Sequence, residues 1–166
     1  MKKMLYLKFL VAYIIFGCFG FLAVATFSSS LTLEHEIRET AETLYEEGSL
    51  IAKTYVNDLY NNQITIENAY SQLKALSTYL SASIWIVNPS GTVVLNSLEM
   101  PDLSNPKVIE DFNPSITADS YYIRDDFFGE FDEEMLSVYT PITSNYKIKG
   151  YVVIHQPMSE LRKRSD

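Results

Sequence analysis

An uncharged apolar run near the N-terminus constrains this chain more than any other feature of its sequence. Residues Phe9 to Phe27 read FLVAYIIFGCFGFLAVATF and include no charged side chain. In a helix that rises about 1.5 Å per residue, a run of this length spans the hydrocarbon core of a bilayer, which is roughly 30 Å thick. The sequence therefore predicts a transmembrane helix over residues 9–29, preceded by a short segment at residues 1–8.

The charges on either side of this run predict its orientation. Lys2, Lys3 and Lys8 precede it, whereas ten basic and 21 acidic residues follow it, so the later part carries a net charge of −11. Because basic residues favour the cytoplasmic side of a membrane, we expect a protein of the cell membrane whose N-terminus is cytoplasmic and whose later domain is extracytoplasmic. A domain this acidic is not expected to bind nucleic acid, and anionic headgroups would repel it unless cations bridge the two.

Three other interpretations of the N-terminus stay open at this point. Residues 23–25 (Ala-Val-Ala) are a weak match to a signal-peptide cleavage site. Cys18 follows a glycine, as in a lipoprotein signal, but Phe16 is bulky for that motif and the residues after Cys18 stay apolar. A pilin-like subunit also joins an apolar helix to a sheet domain. Since Cys18 is the only cysteine, we expect no disulfide in the outer domain.

The segment after the apolar run predicts two helices. From Leu31 to about Tyr60, apolar residues recur at intervals of three, four and seven, and glutamates occupy much of the remaining surface. This pattern is typical of an amphipathic helix, which we expect to continue straight out of the membrane helix. Residues 61–63 (Asn-Asn-Gln) interrupt the pattern. Thr65 is the expected N-cap of a second helix, which ends near Ser81.

Short strands follow the second helix. The predicted strands are Ser83–Val87, Thr92–Leu95, Tyr121–Arg124, Leu136–Ile142 and Tyr151–His155. A turn over Asn88–Gly91 joins the first two strands in a hairpin, and Asn145–Gly150 is the predicted turn between the last two. The intervening loop is expected to include one helical turn around Val108–Phe112. The predicted fold is α+β, with a transmembrane helix that continues into a long helix, a second helix and an antiparallel sheet of about five strands.

Parts of this sequence resemble the extracytoplasmic PAS-like (Cache-type) sensor domains of bacterial sensor histidine kinases. In residues 83–97 (SIWIVNPSGTVVLNS) a strand ends in Asn, turns through Gly and returns toward Ser, as those domains do. Residues 128–131, 135–142 and 150–159 are similar to their later strands. The resemblance implies a PAS-like sensor domain over residues 30–157, followed by a juxtamembrane segment at 158–166 that leads toward a second membrane helix.

The resemblance also implies a function. The chain would be the stimulus-sensing input region of a two-component sensor histidine kinase, working as a homodimer that passes its signal through the membrane by helix movement. No phospho-acceptor region or glycine-rich nucleotide motif occurs, so we expect no enzymatic activity of this chain, whereas the parent protein would be a kinase. His35 and His155 are expected to be structural, and Ser159 to cap a helix. The alternative is a non-signalling, membrane-anchored surface-binding or pilin-like protein.

Two candidate binding sites follow from these predictions. Trp85, Tyr122, Arg124 and Tyr139 lie on predicted strands, where Cache-type domains hold small ligands, and Arg124 is suited to pair with a ligand carboxylate. A second candidate is a group of six carboxylates around Gly129, of the kind that binds Mg²⁺ or Ca²⁺. These carboxylates belong to Asp125, Asp126, Glu130, Asp132, Glu133 and Glu134. The alternative is a solvated acidic loop.

Overall fold

The helices and strands of the chain follow the predicted order. A computed structural model describes residues 2–56, 58, 61–102, 104–114 and 121–165. The helices are α1 (Lys2–Ile51), α2 (Ile66–Leu80) and α3 (Met158–Ser165). The strands are β1 (Ser83–Val87), β2 (Val93–Asn96), β3 (Tyr122–Asp125), β4 (Met135–Ser144) and β5 (Lys147–Pro157).

The helix α1 is continuous over 50 residues. Its segment Lys3–Ala25 is long and apolar enough to cross a membrane, and none of that segment is buried inside the protein. The helix runs on to Ile51 and then into a π-helical segment, Ala52–Val56. The predicted continuity between the apolar run and the amphipathic helix is therefore confirmed as far as Val56, while residues 57, 59 and 60 of the predicted helix lie outside the described residues.

The ends of α2 are set by local capping. The backbone N–H of Asn68 donates to Thr65 Oγ1 at 3.2 Å, so Thr65 satisfies one of the unpaired donors of the first turn. At the other end Ser81 adopts a left-handed conformation with φ of 54°, and its N–H donates to the last carbonyls of the helix. Ala69 and Leu73 are buried on the inner face. Both predicted ends of this helix are confirmed.

The five strands form one antiparallel sheet in the order β2-β1-β5-β4-β3. Its two longest strands, β4 and β5, are joined by a two-residue turn in which Asn145 and Tyr146 have φ of 52° and 65°. Two left-handed residues give the turn the twist that a tight hairpin requires. The predicted turn over Asn145–Gly150 was therefore too long, because pairing continues to Ser144 and Lys147.

The loop after β2 pairs with the sheet and does not form the predicted helical turn around Val108–Phe112, so that prediction was wrong. Val108 forms an isolated antiparallel bridge with Thr92. The N–H of Ile109 donates to Gly91 O at 2.9 Å, and that of Val93 donates to Lys107 O at 2.8 Å. The backbone groups of this segment are thus satisfied by the β1–β2 hairpin, which removes the advantage of a helical turn.

The start of α3 also differs from its prediction. The helix begins at Met158, so Ser159 lies in its first turn and does not cap it. The N–H of Met158 donates to Glu134 O at 3.0 Å, which ties the start of α3 to the segment before β4. Met158 and Leu161 are fully buried, and this helix packs in the same core as α1.

Both faces of the sheet are covered, by different parts of the chain. On one face lies the helix-side cluster, built from α1, α2 and α3; its fully buried members include Ile37, Leu73, Ile84, Leu136, Ile154 and Met158. On the other face lies the loop-side cluster, covered by the loops that follow β2 and β3. Its buried members are Trp85, Val87, Val93, Ile109, Phe127, Tyr139 and Val153. Adjacent residues of one strand therefore belong to different cores.

Gly48 lets α1 lie directly against the sheet. A Cβ atom at this position would be 3.2 Å from Thr140 Cβ and closer still to its hydroxyl oxygen. Thr140, on β4, also places its hydroxyl 3.5 Å from the carbonyl oxygen of Tyr45 on α1. The backbone of the helix is thus in direct contact with the Thr140 side chain of β4.

Candidate functional site

The loop-side face of the sheet carries a group of aromatic residues on neighbouring strands. We call Trp85, Phe127, Phe131, Tyr139 and His155 the aromatic site. In the sheet register Trp85 and Tyr139 both lie opposite Val153, and His155 lies opposite Ser137. The three strands β1, β5 and β4 thus bring Trp85, His155 and Tyr139 to one face.

Phe127 fills the middle of the aromatic site. Its side chain is fully buried. Its ring centroid lies 4.4 Å from that of His155, 5.6 Å from that of Trp85 and 6.0 Å from that of Tyr139. Phe131 lies beside it, 4.9 Å from His155 and 5.5 Å from Trp85. The loop between β3 and β4 therefore occupies the space above the sheet with its own phenyl rings.

This loop has an unusual backbone. Phe127, Phe128 and Gly129 have φ of 51°, 56° and 80°, which makes three successive left-handed residues. For a residue with a Cβ this conformation costs roughly 1–2 kcal/mol. Two carboxylates hold the loop in place, because Asp125 Oδ1 accepts from Phe127 N at 2.8 Å and Asp126 Oδ1 accepts from Gly129 N at 3.1 Å. Burial of Phe127 and these two hydrogen bonds offset the backbone strain.

Three polar atoms of the aromatic site are buried without a hydrogen-bond partner among the described residues. They are Trp85 Nε1, Tyr139 Oη and His155 Nε2. Such an orphaned group costs about 1–3 kcal/mol, and most buried polar groups in proteins are paired. The site therefore holds a donor, a hydroxyl and a ring nitrogen that a bound molecule could satisfy.

The ionisable groups of the aromatic site are neutral near physiological pH. Burial lowers the pKa of His155 to about 3, because the protonated ring would lose its hydration. Burial, together with the charge of Asp125, raises the pKa of Tyr139. His155 Nδ1 and Ser137 Oγ are 2.7 Å apart, but both side chains are fully buried. A substrate does not reach this pair in the present conformation.

An ion pair closes the rim of the aromatic site. Lys107, from the loop after β2, lies with Nζ 2.6 Å from Glu130 Oε2, from the loop after β3. The same ammonium lies 5.5 Å from the centroid of the Trp85 ring, within the range of a cation–π contact. The pair therefore links the two loops that cover the site.

The structure does not bring the four predicted ligand-binding residues together. Trp85 and Tyr139 share the aromatic site. Tyr122 packs against the helix-side cluster. Arg124 lies on that side as well, with its guanidinium nitrogens 3.6 Å from carboxylate oxygens of Glu34 on α1 and Glu134. Two of the four residues thus face the loops and two face the helices.

The six predicted metal ligands are dispersed. The first two carboxylates cap the loop, as described, and Glu130 pairs with Lys107. Glu134 Oε1 accepts from Arg162 Nη2 at 2.7 Å, and positions 132 and 133 are exposed. Over the described part of the chain, no three acidic, histidine or cysteine side chains are grouped so that they could hold a metal ion.

Phe127, Phe131, Ser137 and His155 were not among the predicted site residues. Alternation along β5 places His155 on the same face as Val153, but only the pairing with β1 shows that Trp85 shares this face. For Phe127 the sequence offers no signal, because it lies in an acidic, polar loop and its burial depends on the sheet beneath it.

Several solved structures that resemble this chain are sensory or ligand-binding domains. The chain superposes on the V. cholerae histidine kinase DctB sensor domain with a TM-score of 0.59 and 15% identity over 83% of this chain and 56% of that one. It superposes on the sensory domain of the Campylobacter jejuni chemoreceptor Tlp3 with isoleucine bound (TM-score 0.56, 16% identity, 83% and 60% coverage). The Tlp3 ligand-binding domain in complex with L-valine gives 0.57 at 15% identity, with 83% and 60% coverage.

These similarities confirm the predicted fold. The chain is an α+β protein with the PAS-like (Cache-type) fold of histidine-kinase and chemoreceptor sensory domains, preceded by an apolar helix. It spans less than two thirds of the length of each of the three structures compared. No protein-family model matches the sequence, and no curated protein matches it at a significant level.

Proposed function

We propose that this chain is the extracytoplasmic, stimulus-sensing input region of a membrane-bound receptor of the histidine-kinase class. One observation carries the proposal: the aromatic site and the contact with α1 are one residue apart in β4. Tyr139 contacts Phe127 on the loop side, and the next residue, Thr140, contacts Gly48 of α1. A shift of β4 at the aromatic site would therefore also displace α1 through this contact.

The proposed mechanism is a displacement of Phe127. A molecule that enters the aromatic site pushes this ring out and releases the strained left-handed backbone of its loop. The vacated space lets β4 and β5 move, and α1 follows through its backbone contact with Thr140. Because α1 is unbroken from Lys2 to Ile51, the movement reaches the apolar segment without a hinge. The ligand shifts the equilibrium only by the difference in its affinity for the two states.

The proposed ligand is a small molecule with an apolar body and hydrogen-bonding groups. Trp85 Nε1, Tyr139 Oη and His155 Nε2 are the buried atoms that such a molecule would satisfy. At the rim, Lys107 and Glu130 offer one charge of each sign, which suits a zwitterion such as an amino acid. The Tlp3 structures, which have isoleucine or L-valine bound, show that a domain of this fold accommodates ligands of that kind.

The proposal includes a membrane position, which labelling with a membrane-impermeant maleimide tests. We expect Ser90→Cys, in the exposed β1–β2 turn and in a Cys18→Ser background, to react in intact cells. Lys3→Cys, at the N-terminal end of the apolar segment, should react only after the membrane is permeabilised. The reverse pattern would contradict the proposed orientation.

Disulfide cross-linking tests the proposed parallel homodimer. Single cysteines are placed at successive positions along Lys3–Ala25, and a parallel homodimer should give a cross-linked dimer at some of them. Monomer alone at every position would be the contrary result.

A chimeric receptor tests the function itself. Residues 1–166 are joined to the second membrane helix and kinase core of a histidine kinase whose sensor has this fold. Fusions that differ by one to four residues are compared, because each residue rotates a helix by about 100°. We expect Phe127→Leu, which loosens the aromatic site, to change autophosphorylation several-fold in membrane vesicles. The matched control is Tyr146→Asn at the exposed β4–β5 turn, which should leave it unchanged.

The alternative is a membrane-anchored protein that binds at the surface and does not signal. In that case all the fusions, whatever the number of residues at the junction, would give the same kinase activity. Phe127→Leu and Tyr146→Asn would then have the same autophosphorylation rate although both variants are folded. The folded state is verified from the emission of Trp85, the only tryptophan, which lies in the aromatic site.

A further inference from the structure

A groove on the opposite side of the sheet carries a second set of ligand-binding features. It lies between α1 and the C-terminal end of α2, and its volume is about 880 Å³, within the range of small-molecule sites. Five glutamates of α1 line it, and none of the described lining residues is basic. They are Glu36, Glu39, Glu42, Glu46 and Glu47. We call this the acidic groove; none of its lining residues belongs to the aromatic site.

An acidic surface alone does not make a site, but one residue that lines this groove carries an orphaned acceptor. Gln156 lines the groove from β5, and its side chain is only 2% exposed. Its Oε1 has no hydrogen-bond partner within the described chain. A buried amide oxygen without a donor costs about 1–3 kcal/mol, so an unpaired acceptor on a residue that lines a groove of five carboxylates points to a ligand that supplies N–H donors.

The shape of the acidic groove favours an extended organic cation over a metal ion. Within the described residues no three acidic, histidine or cysteine side chains are gathered closely enough to hold a metal. The glutamates instead follow the helix axis: Glu36, Glu39 and Glu46 are separated by about one and two turns, and one turn rises about 5.4 Å. Ammonium groups separated by three or four methylenes repeat at a comparable distance.

The remaining lining residues suit the methylene segments of such a molecule. Leu44 and Leu80 are apolar parts of the wall, and Tyr79 presents an aromatic ring that is 82% exposed. An ammonium group on an aromatic face adds a cation–π attraction. Thr40 and Thr43 add hydroxyl groups between the glutamates. The lining of the groove thus combines carboxylates and hydroxyls with apolar surface.

We infer that the acidic groove binds a linear aliphatic oligoamine, with ammonium groups paired to the α1 glutamates and one N–H donor on Gln156 Oε1. Because these residues lie on α1 and β5, a bound oligoamine bridges the long helix and the sheet. The site is separate from the aromatic site, and its occupation does not depend on the proposed sensing of a ligand there.

Calorimetric titration of the full chain in neutral detergent, at 0.15 M salt, tests this inference with spermidine as the probe. We expect saturable binding with one molecule per chain. The double variant Glu36→Gln/Glu47→Gln should weaken it about tenfold, the scale of one or two charge-assisted hydrogen bonds. The matched control Glu99→Gln/Glu110→Gln removes the same charge at exposed positions and should change the affinity less than twofold.

A neutral variant separates specific binding from diffuse attraction. Gln156→Leu leaves the net charge unchanged but removes the acceptor, so we expect affinity for spermidine to fall several-fold. The same variant should raise the midpoint of urea unfolding, because it removes a buried unpaired oxygen. Equal weakening by both double variants would overturn the inference, as would an unchanged affinity in Gln156→Leu. Competition by Mg²⁺ at matched ionic strength, or saturable binding of an oligolysine peptide but not of spermidine, would also overturn it.

Discussion

Acidification from pH 7 to pH 4 is expected to destabilise the folded domain by about 3 kcal/mol through His155 alone. Burial holds the pKa of His155 at about 3 in the folded state, against the ordinary histidine pKa of 6.5, which applies when the chain is unfolded. Below pH 6.5 the unfolded chain binds a proton that the folded chain does not. The contribution of neutral His155 to the free energy of unfolding is therefore fully present above pH 6.5, and it is lost progressively as the pH falls toward 3.

Urea unfolding of the full chain at intervals from pH 7 to pH 4, followed by Trp85 emission, measures this effect. Other carboxylates also titrate in this range, so the comparison is with His155→Asn, which keeps a side-chain partner for Ser137 and carries no titratable group. We expect the variant to be less stable at pH 7 but to lose much less stability on acidification. His35→Asn is the matched control, since the His35 side chain is 70% exposed. Equal slopes for the wild type and His155→Asn would contradict the prediction.

Truncation of Phe127 is expected to have the largest effect of any single change in the aromatic site. Phe127→Ala removes a fully buried ring that contacts Trp85, Tyr139 and His155, and such changes cost about 3–5 kcal/mol. The loss should be visible as a lower urea midpoint and a shifted Trp85 emission. Phe128→Ala, at a half-buried neighbour with nearly the same φ, should cost less than half as much.

The left-handed backbone at Phe127 also predicts which of two replacements is the more stable. Glycine is normally less stable than alanine by about 1 kcal/mol in regular structure, but it adopts positive φ without steric cost. We therefore expect Phe127→Gly to be more stable than Phe127→Ala by about 1 kcal/mol, which reverses the usual order. If alanine were instead the more stable replacement, the loop would not hold Phe127 in the left-handed region, and the proposed release of strain on ligand binding would fail with it.

The sequence predicts those parts of the fold that depend on local interactions. Thr65 and Ser81 mark the ends of α2 because capping involves only residues three or four positions away. The β1 strand was predicted with its observed bounds because its apolar run ends in a turn signal. The length of the turn at Asn145–Tyr146 was overestimated, because a left-handed tyrosine is uncommon and nothing in the local sequence pattern requires one.

Site residues depend on register, which the sequence does not specify. Of the four predicted ligand-binding residues, Trp85 and Tyr139 share the loop-side face and both contact Phe127, whereas Tyr122 and Arg124 lie on the other face. A shift of one residue in a strand moves every side chain to the opposite face, so a face assignment requires the pairing of β3 with β4. Phe127 was missed for a related reason: its burial is decided by a sheet that forms from residues distant in sequence.

The length of α1 sets the distance between the acidic groove and the membrane surface. That distance determines whether the groove is exposed to the cation concentration of bulk solution or to that of the ionic layer next to the lipids. With Lys3–Ala25 in the bilayer, Glu36 lies 11 residues beyond the apolar segment, which is about 16 Å along a helix, and Glu47 lies roughly 33 Å beyond it. The potential of an anionic leaflet decays over about 8 Å at physiological ionic strength. The headgroup layer occupies about 6 Å of these distances, so the Glu47 end of the groove lies about three such lengths from the lipid charges and the Glu36 end little more than one. An oligoamine would therefore meet the Glu47 end at its concentration in bulk solution, whereas the charge of the membrane would influence only the end nearest the lipids.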